Sequence, residues 1–455
     1  MVAARCPGET SGLLGPQMAA TIISRRTGFE CIVLAVDRNE ERAAVKRALQ
    51  EYFGPRPPLV AFSTLHGRDD LFALAADLKS DGAVTILAGP QAAQDFAGES
   101  GCERFSHRFK GVSDRFSFAL QGPAEQIAPF LARFPYCPLE EVPGAVFRRN
   151  GVLRSNSVQG WSEVCLSEVD WSNLYAPHPG GIAPLPVSSA QVVQQIGCPH
   201  AARRRWTSLE YPAGLPSSGD PRIELELRGC SFCDVASDKG FYGTLGLEAV
   251  MRQIRCLPER SGGGRIEFEL INENPLPGLR RILERAAEEA IRLTQINLTM
   301  RSDWLVQGEA HLRLALDLAR RQGVRIMAAS VGLEAFDDRI LHNLNKGVTT
   351  ETNLQAIRLM RRLKQEYPAN WVYSRQEGSV HGFIHPTPWD DARTQSSSRM
   401  AMYANDLPAD ILPRTSVPLI IHHGCGLGEW IRNIESREQL RFPRTGSHIA
   451  WWEEP

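Results

Sequence analysis

Ile223-Glu-Leu-Glu-Leu-Arg-Gly-Cys-Ser-Phe-Cys233 joins an alternating apolar run to two thiols, Cys230 and Cys233, at Cys-x-x-Cys spacing. The alternation over 223–227 predicts a strand. A polar site directly after such a strand is where a parallel α/β barrel places its chemistry. Two residues between the cysteines let both sulfurs reach one zinc ion or iron–sulfur cluster without straining the turn. Redox dithiols share this spacing, and a reduced structural pair is the plain alternative.

Composition sets the frame. A chain of 455 residues, 43% apolar and 23% charged with a net charge of −1, describes an ordinary globular protein of two to three domains. That charge balance gives no reason to expect nucleic acid as a partner. No run approaches the roughly 18 apolar residues of a membrane span, and residues 1–30 lack the apolar stretch of a secretory signal, so a cytoplasmic protein is expected. Ten cysteines scattered through so long a chain argue against a disulfide framework. Cys6, Cys31, Cys102, Cys137, Cys165, Cys256 and Cys425 are expected to be reduced and structural.

From about Gly12 to Phe134, strand-like runs at 31–36, 59–63 and 83–88 alternate with amphipathic helical runs at 40–53 and 69–78. Continuous apolar strands in βαβαβ order imply a parallel sheet covered on both faces. Such sheets bind ligands beyond the carboxyl ends of their strands. The loops Ser63-Thr64-Leu-His-Gly67 and Gly89-Pro90-Gln91 are therefore candidate binding loops, with turn geometry as the other reason for their Gly and Pro. Residues 135–222 are rich in Pro, Gly and Ser and read as connector and inserted loop.

A second βα series is expected over 223–390, followed by a C-terminal extension over 391–455. Helices are expected at 247–257, 278–291, 311–322, 338–345 and 351–366, and strands at 265–271, 295–299, 324–331, 371–373 and 381–384. This spacing predicts an open or closed parallel barrel. Its strands deliver polar groups to one rim: Cys230 and Cys233, then Asn272, Glu273 and Asn274, then Arg301, then Glu334. Asp337 or Asp338 is expected to cap a helix, and Glu273 and Arg301 admit plain readings as a cap and a surface cation. Glu334 lies in an apolar strand end, where an unpaired carboxylate is costly.

In this order the motifs resemble those of radical S-adenosylmethionine (SAM) enzymes with an N-terminal cobalamin-binding domain. Arg228-Gly-Cys-Ser-Phe-Cys-Asp234 is similar to the family's cluster loop, and Ile271-Asn-Glu-Asn-Pro275 stands in the place of its Gly-Gly-Glu-type motif. Val331-Gly-Leu-Glu-Ala-Phe336 followed by Leu344-Asn-Lys-Gly347 resembles a later signature, and Arg301 falls where such enzymes hold SAM. Ala61-Phe-Ser63, Leu87-Ala-Gly-Pro90 and Gly122-Pro-Ala-Glu125 resemble the loops around cobalamin. Val142-Pro-Gly-Ala145 and Asp170-Trp-Ser-Asn-Leu174 are similar to the family's connector. The implied architecture is α/β: a doubly wound, Rossmann-like domain over 1–134 and a partial (β/α) barrel. The implied cofactors are a [4Fe-4S] cluster, SAM and cobalamin. Asn272, Glu273, Asn274, Arg301 and Glu334 would face SAM, and Ser63, Thr64, Gly89, Pro90, Gly122 and Glu125 would face cobalamin.

Two departures stand out. The usual loop is Cys-x-x-x-Cys-x-x-Cys, yet residue 226 is Glu. Cys198, in Gln195-Ile-Gly-Cys-Pro-His200, is the expected third ligand, with the 31 residues 199–229 as an insertion. Glu226 as an oxygen ligand, or a chain with no cluster, are the alternatives. There is also no Asp-x-His-x-x-Gly sequence, so no histidine is expected beneath the cobalt.

The resemblance implies reductive cleavage of SAM to a 5′-deoxyadenosyl radical and methyl transfer to an unactivated carbon of a small molecule or peptide, in a dry pocket. Tyr373, Arg375, His381 and His385, with Glu377, Trp389 and Asp390, are the expected substrate contacts. His422-His-Gly-Cys425 reads as ordinary loop hydrogen bonding. An electron donor such as flavodoxin or ferredoxin is implied. Rearrangement, oxidation or cyclisation without methyl transfer, and a non-catalytic or zinc-binding protein, are the other readings.

Overall fold

The computed structural model describes residues 1–5, 10–54, 58–63, 68–89, 92, 115–158, 169–233, 241–422, 424–445 and 448–453. The chain divides into two compact units, Met1–Ala190 with Cys256–Pro258 and Thr445–His448, and Gln191–Arg255 with Glu259–Arg444 and Ile449–Pro455.

The first unit contains β1 (Val2–Ala4), α1 (Leu14–Arg26), β2 (Val33–Val36), α2 (Arg42–Phe53), β3 (Leu59–Ser63), α3 (Asp69–Ser80), β4 (Val84–Ala88), β5 (Phe118–Leu120), α4 (Ala124–Leu131), β6 (Ala145–Arg149), β7 (Val152–Ser155), β8 (Leu174–His178) and β9 (Gly181–Pro184). The sheet order is β7-β6-β5-β4-β3-β1-β2-β8-β9. From β5 to β8 all neighbours are parallel, and antiparallel strands close both edges. Side chains alternate between faces along each strand. Val60 and Phe62 pack with Val45, Leu49, Leu71 and Leu74 on one side, while Leu59, Ala61 and Ile86 pack with Ile127 and Phe130 on the other. Cover on both faces is why these strands read as unbroken apolar runs.

Regular structure begins upstream of Gly12 with the interior strand β1, which at three residues is too short to show a period in the sequence. The stretch read as connector supplies β6 to β9. No residue of β7 is buried, and its sequence Val-Leu-Arg-Ser does not alternate apolar with polar, so such strands are hidden among Pro and Gly.

The second unit contains β10 (Ser189–Val193), β11 (Gln195–Gly197), β12 (Arg204–Glu210), β13 (Arg222–Arg228), β14 (Phe241–Thr244), α5 (Leu247–Arg255), β15 (Glu267–Ile271), α6 (Leu276–Glu288), β16 (Gln295–Arg301), α7 (Ser302–Gln307), α8 (Glu309–Gln322), β17 (Arg325–Gly332), α9 (Asp338–Asn343), α10 (Thr350–Glu366), β18 (Trp371–Val372), α11 (Ala392–Ala404), α12 (Leu407–Asp410) and α13 (Gly426–Glu438). The main sheet runs β10-β15-β16-β17-β18, with β15 through β18 parallel. It is an open, five-stranded array among the described residues. Asp337 caps α9, accepting from Arg339 N at 3.0 Å and Ile340 N at 3.3 Å.

Ile223–Leu227 is not the first strand of this sheet. It belongs to β13, which pairs antiparallel with β12 and sets Trp206 opposite Glu226. The alternation is real, buried at every second residue, but a period of two does not say which strand lies alongside. The first strand of the sheet is β10, and Cys198 directly follows β11. The chain at 380–384 runs beside β17 through Val380 N to Ala329 O at 2.8 Å and Ile384 N to Glu334 O at 2.9 Å, without becoming a regular strand.

Candidate functional site

Three loops are stitched together around Cys230. Gly229, at φ +65°, turns the chain out of β13. Ser231 then donates from its N to Leu344 O at 2.9 Å and from its Oγ to Asn343 O at 2.9 Å. Asn345 Nδ2 donates to Gly229 O at 2.7 Å, and the Asn345 carbonyl accepts from His200 Nε2 at 3.1 Å. Asn345 sits at φ +49°, a left-handed conformation that Asn adopts more readily than most side chains. This clasp holds the turn after Cys198 against the turn bearing Cys230.

Buried charges surround the clasp. Arg301, 4% exposed at the end of β16, meets Asp303 Oδ1 at 3.0 Å, donates to Lys346 O at 2.5 Å and places Nη1 3.7 Å from Cys230 Sγ. Lys346 Nζ pairs with Glu334 Oε1 at 2.5 Å, and both residues are buried. Glu334 Oε2 is also buried and has no hydrogen-bond partner among the described residues. Burial pushes the Cys230 thiol up, opposed by Lys346 and Arg301. Burial likewise pushes Cys198 up to about 11, with Glu273 and Cys230 adding to the shift. Glu273 is raised by burial against the pull of Lys346 and Arg301. Cys198, Cys230 and Glu273 thus lie within reach of one another's charge.

Among the described residues no group of three or more His, Cys, Asp or Glu stands close enough, as the side chains lie, to hold a metal ion. The donor chemistry nonetheless suits a thiolate-bound cluster. Thiols kept neutral by burial would lose their protons to the metal, and two fixed cations would face the resulting negative charge. Cys233 joins Cys230 through the turn bond Cys233 N to Cys230 O at 3.2 Å. Glu226 lies on the exposed face of the hairpin, paired with Arg204 at 2.9 Å.

Asn272 donates to Gln194 Oε1 at 2.8 Å and accepts from Asn274 N at 2.8 Å, an Asx turn that presents Glu273. In the first unit, Ser63 ends β3, and Gly89 and Gly122 follow β4 and β5, so the three lie at the carboxyl ends of adjacent parallel strands. Gly89 has φ +72°, and a Cβ there would lie 2.8 Å from Ser63 Oγ. Glu125 is in the first turn of α4. Thr64 and Pro90 lie outside the described residues.

The four substrate-side candidates make their hydrogen bonds elsewhere than at the cysteine loops. Tyr373 OH donates to Asp410 Oδ2 at 2.7 Å, and burial, then Asp410, push the phenol up. His381, 2% exposed, accepts from Val331 N at 3.2 Å and donates to Tyr373 O at 2.7 Å. It ties β17 to the loop after β18. Arg375 and His381 line a cavity of about 380 Å³ with Ser379 and Arg414. His385 stacks on Phe383 and stands 3.9 Å from Asp390.

Asn345, Lys346 and His200 stand in the quoted segments Leu344-Asn-Lys-Gly347 and Gln195-Ile-Gly-Cys-Pro-His200, but the sequence assigned them no role. The Asn-Lys-Gly turn was the available signal, with Gly347 at φ +69°.

The class defined by this fold is an α/β protein in which a doubly wound domain precedes a partial (β/α) barrel. The structure is similar to that of a radical S-adenosylmethionine methyltransferase, TsrM, from Kitasatospora setae, solved with tryptophan substrate and the SAM analogue aza-SAM. The TM-score is 0.56 at 15% identity, covering 95% of this chain and 76% of that one, so the likeness is one of fold. No family model and no curated protein matches the sequence.

Proposed function

We propose that the chain is a cobalamin-dependent radical SAM enzyme that transfers a methyl group to an unactivated carbon of a small molecule or peptide. The observation that carries this reading is the Asn345 clasp, which joins the turns of Cys198 and Cys230 across 31 intervening residues. The fold shared with a SAM methyltransferase supports it. Cys198, Cys230 and Cys233 would hold a [4Fe-4S] cluster. Asn272, Glu273, Asn274, Arg301 and Glu334 would hold SAM, and Ser63, Thr64, Gly89, Pro90, Gly122 and Glu125 would hold cobalamin.

When bound, these groups supply the electron and methyl chemistry that side chains lack. The chain's own contribution is positional and electrostatic. Burial keeps Cys198 and Cys230 protonated until metal displaces the protons. Arg301 and Lys346 then offset the thiolate charge, and Glu334 Oε2, unpaired among the described residues, stands as an acceptor for a ligand hydroxyl or ammonium. A donor of the flavodoxin or ferredoxin kind and a cytoplasmic setting complete the reading.

Anaerobic reconstitution tests it. The expected result is about four irons per chain, lost in Cys230→Ala and Cys198→Ala, with methylated product alongside 5′-deoxyadenosine. Zinc without iron would support the zinc-binding or non-catalytic reading instead. 5′-Deoxyadenosine without methylated product would point to rearrangement, oxidation or cyclisation.

A further inference from the structure

The loop that leaves β18 is held in one shape by its own hydrogen bonds. Ser374 Oγ donates to Glu377 Oε2 at 2.8 Å, and Gly378, at φ +99°, lets Ser379 N close back on Ser374 O at 3.1 Å. The chain then returns beside β17 at Val380. The segment around the end of α12 packs on this turn, where Gln376 Nε2 donates to Ala409 O and Arg375 Nη2 to Pro408 O at 3.4 Å. Arg375, Ser379, His381 and Arg414 line the cavity of about 380 Å³ there, with Ile411 and Pro413 as its apolar wall. Its lining begins three residues past the carboxyl end of β18, the end at which parallel sheets receive ligands.

Two donors in that lining have no acceptor. Ser379 is 2% exposed, and neither its Oγ nor the buried Nε of Arg375 has a hydrogen-bond partner among the described residues. A buried donor left without an acceptor destabilises a fold, more so when the donor is charged. One ligand acceptor placed between them would relieve both. The charge of the cavity has a single sign, because Arg375 and Arg414 make no ion pair and no acid lines the space among the described residues. The acids that flank the lining residues are held by other cations: Glu377 by Lys364 at 2.5 Å, and Asp410 by Arg361 at 2.6 Å with Tyr373 OH at 2.7 Å. His381 accepts from Val331 N at Nδ1 and donates to Tyr373 O from Nε2, so its ring is neutral and already occupied.

We propose that Arg375, Ser379 and Arg414 form a binding site for the oxyanion of a small organic acid or phosphate ester. Arg375 Nε and the Ser379 hydroxyl donate to its oxygens, and Arg414 adds charge from the exposed rim. A guanidinium offers a planar array of donors matched to carboxylate and phosphate. Ile411 and Pro413 give the carbon part of the ligand an apolar surface. The site lies within the second unit and needs no cluster, so it goes beyond the function proposed above.

Inorganic phosphate and succinate are the probes, titrated calorimetrically into the full chain without cofactors. Saturable binding is expected, with phosphate alone marking a phosphate ester as the natural ligand, succinate alone a carboxylic acid, and both the oxyanion class. Affinity is expected to fall about tenfold or more in Arg375→Gln and severalfold in Arg414→Gln. Arg375→Lys, which keeps the charge and loses the Nε donor, is expected to recover only part of the loss. Ser379→Ala is expected to weaken binding severalfold while the ligand-free protein melts no lower than wild type, because the hydroxyl removed bonds nothing in the fold. Binding of neither anion, or equal affinity in wild type and Arg375→Gln, overturns the proposal. So does a Ser379→Ala protein that melts several degrees lower without ligand and binds both anions as wild type does, since the hydroxyl would then be structural.

Discussion

Lys346 and Glu334 meet in the interior with 2.5 Å between Nζ and Oε1. Their contact joins the turn after α9 to the end of β17. Each charge has left water, a loss of several kcal/mol that is recovered only while the other is present.

Lys346→Met is therefore expected to destabilise the second unit by about 3–5 kcal/mol, because Glu334 is left buried and uncompensated. Adding Glu334→Leu should recover most of that loss. Urea unfolding of the two variants checks the cycle, and additive losses would contradict the pairing.

Asn345→Ala removes the bond to Gly229 and forces an alanine to φ +49°. A cost of about 1–3 kcal/mol is expected. Asn345→Gly keeps the backbone relaxed and should cost less, yet both should take up iron more slowly than wild type. Thermal melts separate the strain from the lost bond.

His381 sets an acid limit on stability. Burial holds its pKa below the ordinary histidine value of 6.5, so the unfolded chain takes up a proton that the folded chain refuses. As pH falls below about 6.5, this favours unfolding, and stability drops with acid. His381→Gln can still accept from Val331 and donate to Tyr373. Its stability is expected to fall less steeply than wild type between about pH 7 and pH 5.

Tyr373→Phe tests whether a sequence-expected catalytic residue is structural. Its hydroxyl is engaged by Asp410, which also holds Arg361 at 2.6 Å. Loss of about 1 kcal/mol of stability with SAM cleavage intact is expected. A fall in cleavage of more than about tenfold in a protein that melts normally would place the phenol in the chemistry instead.

The apolar runs at 31–36, 59–63 and 83–88 were legible because strands covered on both faces must be apolar at every position, whatever their neighbours. The Cys-x-x-Cys pair was legible because its geometry is local. The partner of 223–227 was not, since alternation reports only which side chains are buried, and β13 pairs with β12 across a turn outside the main sheet. His381 looked like a rim residue because sequence shows a histidine without showing that both ring nitrogens are already used.

What the sequence determined by itself is therefore the local periodicity: two βα series, a thiol pair and the residue types after each strand. What only the tertiary structure decided is which distant loops meet. Asn345 reaches Gly229 across 116 residues and His200 across 145, and Lys346 becomes buried only when β17 brings Glu334 to it. Such contacts depend on the path of the whole chain, and the charges involved acquire their strength from an interior that exists only after folding.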